Sequence, residues 1–144
     1  MSMRLTLVRI DPEALRAVRA RPDLAGEILS GHPREEDVFT DDYLALGDFA
    51  EGRAEAEHGD ARWGRHYPWL AAATGADGEH DLQDHTFGYG PPFALDPERV
   101  AEVARGLAGE GWGFAAAGQD GFAGLGPFYT AAAREGGAVV GGVS

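Results

Sequence analysis

The run from Arg4 to Ile10 sets the strongest limit on what this chain can fold into. It is rich in leucine and β-branched residues, and apolar side chains fall on both of its alternating faces. A strand with one wet face alternates apolar and polar residues, whereas one that is apolar on both faces has to be covered on both. The segment is therefore expected to be a central strand with packing partners above and below it.

Helix signals supply those partners. Asp11-Pro12-Glu13 offers an N-cap, a proline at the first helical position and an acid in the first turn, followed by Leu15 and Val18 at helical spacing. This helix should end before Pro22, where Asp23 opens a second short one through Leu24, Ile28 and Leu29 that stops at Gly31. Residues 31–42 read as a loop, and Tyr43, Leu44, Leu46 and Phe49 then fit a helix better than a strand. From Asp60, a further cap candidate, the residues Trp63, Tyr67, Leu70 and Ala71 form a helical stripe ending near Thr74-Gly75. Pro68 lies inside it, removes a donor and crowds the carbonyl one turn back, so a kink or a break is predicted there.

Residues 76–92 read as loop, with a short extended piece at Thr86 to Tyr89 as an option. Asp96-Pro97-Glu98 repeats the earlier start signal and puts Val100, Val103, Ala104 and Leu107 on one face of a helix that ends around Gly109 to Gly111. The stretch Gly113 to Gly121 is too rich in small residues to assign. Pro127 to Arg134 suggests a last helix closed by Gly136-Gly137, and Ala138 to Val140 a closing strand beside the first. The expected fold is α+β: a small mixed sheet that includes the N- and C-terminal strands, packed against several short helices. At 144 residues one domain suffices.

Several chemistries are excluded by composition. The chain has 12 basic residues, all of them arginine, and no cysteine. Schiff-base catalysis, a P-loop lysine, thiol nucleophiles and thiolate zinc sites are thereby ruled out. Ser2, Ser30 and Ser144 lie in no nucleophile-elbow pattern. Nothing calls for a cofactor. His80, Asp81, Asp84 and His85 are the one cluster with metal-ligand chemistry, but a spacing of five puts the two histidines on different faces of a helix and opposite faces of a strand, so no metal site is expected. His32 and His58 have still less context. No apolar run approaches the roughly 20 residues needed to cross a bilayer. With no leader-like start and no cysteine to form a disulfide, the cytoplasm is the expected location.

The charge is unevenly spread. Residues 35–60 hold ten acids and one arginine, within a chain of net charge −12. Such a surface repels phosphates, so nucleic-acid binding is not expected; a basic protein partner fits it, and so does plain solubility. Asp41, Asp42, Asp48, Glu51 and Glu55 are the candidate partner-binding residues. A second candidate is the aromatic region, where Trp63, His66, Tyr67 and Trp69 with Tyr89 and Trp112 could line a cleft for a small ligand around a titratable imidazole. Aromatics at helical spacing are more often packing than pocket.

Pieces along the chain, in order, resemble the YfbM-like family of bacterial proteins of unknown function (domain of unknown function 1877). These are the Met-Ser-Met start running into Arg4 to Ile10, then Asp11-Pro12-Glu13-Ala14-Leu15, Thr74-Gly75 after an aromatic helix, and Gly88-Tyr89-Gly90-Pro91 followed by Leu95-Asp96-Pro97-Glu98-Arg99-Val100. The last is Phe128-Tyr129 through Gly137-Ala138-Val139-Val140. The family's aromatic helix usually carries a histidine four residues after its tryptophan, whereas His66 follows Trp63 at three, and the stretch from Gly111 to Gly126 is shorter than in the family. The resemblance implies no activity. Together these features lead to a non-enzymatic binding domain whose acidic face, residues 35–60, engages a basic protein of the kind met by an inhibitor or immunity protein. The alternatives are a small-molecule-binding protein or minor hydrolase using residues 63–69 with His66 as acid or base, and an accessory structural domain.

Overall fold

A computed structural model describes residues 2–31, 34–78, 82, 87–112 and 124–144. Strand β1 (Arg4–Ile10) is central, as its two apolar faces require. It pairs with β2 (Val38–Asp42) on one edge and β4 (Ala138–Val143) on the other, and β3 (Phe93–Leu95) adds to the far side of β4, giving the order β2-β1-β4-β3. Leu7 stands opposite Phe39 on one side and Gly141 on the other. Every pairing is antiparallel, so the sheet is not mixed. An unbroken apolar run reports burial on both faces and says nothing about the direction of the neighbouring strands.

The two faces build two cores. Val8, Ala138 and Val140 face α1 (Pro12–Ala20) and α2 (Asp23–Ser30) through Leu15, Val18, Ala25 and Leu29. Leu5, Leu7 and Val139 face the larger layer of α3 (Tyr43–His58), α4 (Pro68–Thr74), α5 (Pro97–Glu110) and α6 (Leu125–Arg134). The Asp-Pro-Glu starts behave as their chemistry dictates, with Asp11 accepting from the Ala14 amide at 2.7 Å and Asp96 from the Arg99 amide at 2.8 Å. Asp42 caps α3 in the same way through the Ala45 amide at 3.0 Å.

The aromatic segment breaks where Pro68 predicts. A 3₁₀ turn at Trp63–Arg65 precedes α4, which begins on Pro68 itself. Asp60 starts no helix; its carboxylate accepts from the Arg62 amide instead. The α4 amides of Trp69 and Leu70 are capped from α5, each by one Glu110 carboxylate oxygen at 3.1 Å. One strand, β2, replaces an expected loop, and another, β3, lies between the expected loop 76–92 and the helix start at Asp96, where no element is assigned from the sequence. β2 lies in the segment expected to be loop; its Asp41 and Asp42 are poor strand formers, yet charged residues suit the edge of the sheet. β3 has three residues, too few to show a period of two. Of the extended piece proposed at Thr86 to Tyr89, an isolated bridge between Phe87 and Gly90 is described. Among the described residues no helix is long and apolar enough to cross a membrane.

Helices α4 and α5 meet at a glycine. A Cβ at Gly106 would lie 2.0 to 2.5 Å from the indole ring of Trp69, so the ring lies directly on the α5 backbone. Alanine normally gains roughly 1 kcal/mol over glycine inside a helix, but at this contact it overpacks. Gly106→Ala is expected to destabilise the chain by about 1–3 kcal/mol, read as a lower denaturation midpoint, and the loss should shrink in a Trp69→Leu background. An unchanged midpoint for Gly106→Ala alone contradicts the contact.

Candidate functional site

Helix α3 carries four of the ten acids of the acidic segment, Asp48, Glu51, Glu55 and Glu57. Its cap at Asp42 and its close at Gly59, where φ is 68° and the amide returns to Glu55, fix a rod of 16 residues. Leu46, Ala50 and Ala54 are buried at four-residue steps, and the small alanines let the helix lie close against the core. About a third of a turn round, Leu44, Asp48, Glu51 and Glu55 form an exposed stripe. Asp48, Glu51 and Glu55 have no ion-pair partner among the described residues. Asp41 and Asp42 accept backbone amides, those of Asp42 and Ala45.

Between the stripe and the buried face lies a cavity of about 190 Å³. Tyr43, Leu46 and Gly47 of α3, Trp63 of the 3₁₀ turn and Leu70 of α4 line it, and Asp48 and Glu51 border it. One residue of the aromatic set, Trp63, thus meets two of the acidic set, Asp48 and Glu51, although they are separate in sequence. Tyr43, which sequence reasoning did not single out, also borders a second cavity of about 280 Å³ that holds Tyr89 with Pro91 and Phe93. Burial raises the Tyr43 phenol above its ordinary pKa.

The other aromatic candidates go elsewhere. Trp69 lies in the groove against α5, with the Arg99 guanidinium 5.1 Å from its ring centre. Tyr67 is buried and donates its hydroxyl to Glu57. Trp112 is fully buried, edge-on to Tyr67 at 5.1 Å. His66 lines neither cavity. Its ring stacks on His58 with centroids 4.2 Å apart and planes 5° from parallel, and its Nε2 lies 3.2 Å from Asp60. Hydrogen bonds from Arg62, joined by the one to His66, hold the Asp60 carboxyl well below the usual carboxylate range. This cluster fastens the 3₁₀ turn to the end of α3 and so positions Trp63 as a cavity wall.

On the opposite flank of α3, Arg53 shows how this protein holds a cation. Its guanidinium lies 4.1 Å from the Trp112 ring centre and 5.0 Å from that of Tyr67. It also donates to the Glu110 carbonyl at 2.7 Å and the Glu57 carboxylate at 3.2 Å. Glu57 is held below its ordinary pKa, first by the Tyr67 hydroxyl and then by Arg53 against the cost of burial. The cluster of His80, Asp81, Asp84 and His85 lies outside the described residues, as does His32. Among the described residues no group of three or more His, Asp or Glu side chains could hold a metal ion.

Two outcomes follow from this arrangement. Arg53→Met keeps the aliphatic stem and removes the charged contacts, so stability should fall by about 2 kcal/mol, visible in the urea midpoint. Burial, helped by the bond to Glu57, pushes the Tyr67 phenol up to about 12. A phenol whose pKa is higher folded than unfolded contributes stability that is fully present below its unfolded value of about 10 and is lost as pH rises through the folded one. Stability should therefore decline from about pH 10 to 12, more shallowly in Tyr67→Phe; identical alkaline profiles for the two proteins contradict this.

Compared with protein-family models, with curated proteins and with solved structures, the chain matches none of them.

Proposed function

We propose that this chain is a non-enzymatic binding domain whose α3 face engages a basic protein, and that it is a member of the YfbM-like family. The observation that carries the functional reading is the exposed stripe of Asp48, Glu51 and Glu55, without a cationic partner among the described residues. Like charges at three- and four-residue spacing cost a helix a few tenths of a kcal/mol per pair, and a cationic partner removes that cost. The stripe lies in the segment that concentrates the negative charge, which favours fast, salt-sensitive encounter with a basic surface. Family membership is supported by the order of the motifs along the chain.

Size bears on the small-molecule alternative. Pockets for small ligands usually measure roughly 300–1,000 Å³, and the cavity beside the stripe has about 190 Å³. One observation favours that alternative: the chamber at Tyr89 adjoins this cavity across Tyr43 and Thr74, so an elongated apolar ligand could use both.

Titration with a defined arginine- and lysine-rich peptide, followed by calorimetry, separates the readings. Binding should weaken steeply between low and physiological salt, and should fall about tenfold when Asp48, Glu51 and Glu55 become amides, each rim charge being worth up to about 1 kcal/mol. Salt-independent binding, or binding indifferent to the three carboxylates, sinks the acidic-face reading.

A further inference from the structure

Resting on that reading, we infer that the cavity between α3 and α4 is the anchor pocket for one arginine side chain of the basic partner. Its volume of about 190 Å³ is slightly above the roughly 150 Å³ of a cavity that admits benzene, the scale of a single flat group with its stem. Its lining includes the apolar and aromatic residues Leu46, Leu70, Tyr43 and Trp63, the buried Thr74, whose hydroxyl already donates to the Leu70 carbonyl, and the exposed acids Asp48 and Glu51. Leu44 forms a lip that is 46% exposed. A mainly apolar lining that includes two exposed acids suits a side chain that is aliphatic along its length and cationic at its tip.

The choice of arginine over lysine comes from the walls. A guanidinium is planar, weakly hydrated and able to stack on an aromatic face while its edge donates to carboxylates, whereas an ammonium is a strongly hydrated point charge. This protein already uses that combination on the other flank of α3, where Arg53 lies over Trp112 and Tyr67 and bonds Glu57. Trp63 with Asp48 and Glu51 repeats the ingredients, an aromatic wall beside carboxylates of the same helix, but no arginine of the described residues lies over Trp63.

Gly47 makes the test clean. It lines the cavity, and a Cβ built on it meets nothing within 4 Å. Gly47→Leu therefore fills the pocket while keeping every carboxylate, and leucine is the better helix former. The probes are two basic peptides of identical length and charge that differ only in a central arginine or lysine, titrated into labelled protein and followed by NMR. The arginine peptide should bind about fivefold more tightly and shift the Trp63 indole signal, while those of Trp69 and Trp112 stay in place. Gly47→Leu should abolish the preference for arginine but retain weak, salt-sensitive binding of both peptides. Trp63→Leu, which keeps an apolar wall without the aromatic face, should do the same and serves if Gly47→Leu fails to fold. Equal affinities for the two peptides, or an arginine preference that survives both variants, overturn the anchor pocket and leave the acidic-face reading standing. If neither peptide binds at low salt, both readings fall.

Discussion

Strand β1 hydrogen-bonds to β2 and β4 on its two edges while its side chains alternate between two helical layers, so the one strand takes part in both cores. Leu5 and Leu7 are fully buried against the layer that carries α3, and Val8 packs against α1 and α2 on the other face. A shift in register by one residue would exchange these sets. The placement of α3 depends on this strand, because the helix begins at the end of β2, whose register is fixed by pairing with β1, and the Tyr43 amide bonds back to the Met3 carbonyl at 2.8 Å.

Helix α3 then divides its charges between two flanks. The single arginine of the acidic segment is turned inward, where Trp112, Tyr67, Glu57 and the Glu110 carbonyl surround it. Exposed carboxylates fill the other flank. A cation held between aromatic rings joins α3 to the end of α5, and the same Glu110 reaches across to cap α4. Burial raises the pKa of Glu110 despite the two amides that stabilise its charged form, so the link joining three helices is a partly desolvated one. The stripe is therefore presented on a backbone fixed from behind, which lowers the conformational entropy that a partner has to remove on binding.

Much of this frame is written locally. Apolar residues on both faces of Arg4 to Ile10 called for a covered strand, the two Asp-Pro-Glu starts set α1 and α5, and Pro68 broke the aromatic stripe where its missing donor demands. Features set by distant partners were not legible. β2 owes its strand conformation to pairing that overrides the low propensity of its aspartates, and α4 takes its cap from a carboxylate 40 residues away. The spacing of the aromatic residues leaves open whether they line a cleft or pack in the core, and it treats them as one group. The break at Pro68 instead sends Trp63, Tyr67 and Trp69 to three different surroundings.

That break also explains how one aromatic residue, Trp63, comes to lie beside two of the acids. With the segment split, the 3₁₀ turn is free to fold onto α3, held there by the stacked pair His58 and His66 and by Asp60. Trp63 is thereby carried to the helix flank beside Asp48 and Glu51. A long-range field from the acidic segment draws any cation toward the protein, and salt weakens it. A confined apolar cavity under the same carboxylates discriminates by shape, which salt affects far less. Charge alone accounts for attraction; the juxtaposition of Trp63, Gly47 and the two acids is what makes a selective contact physically reasonable.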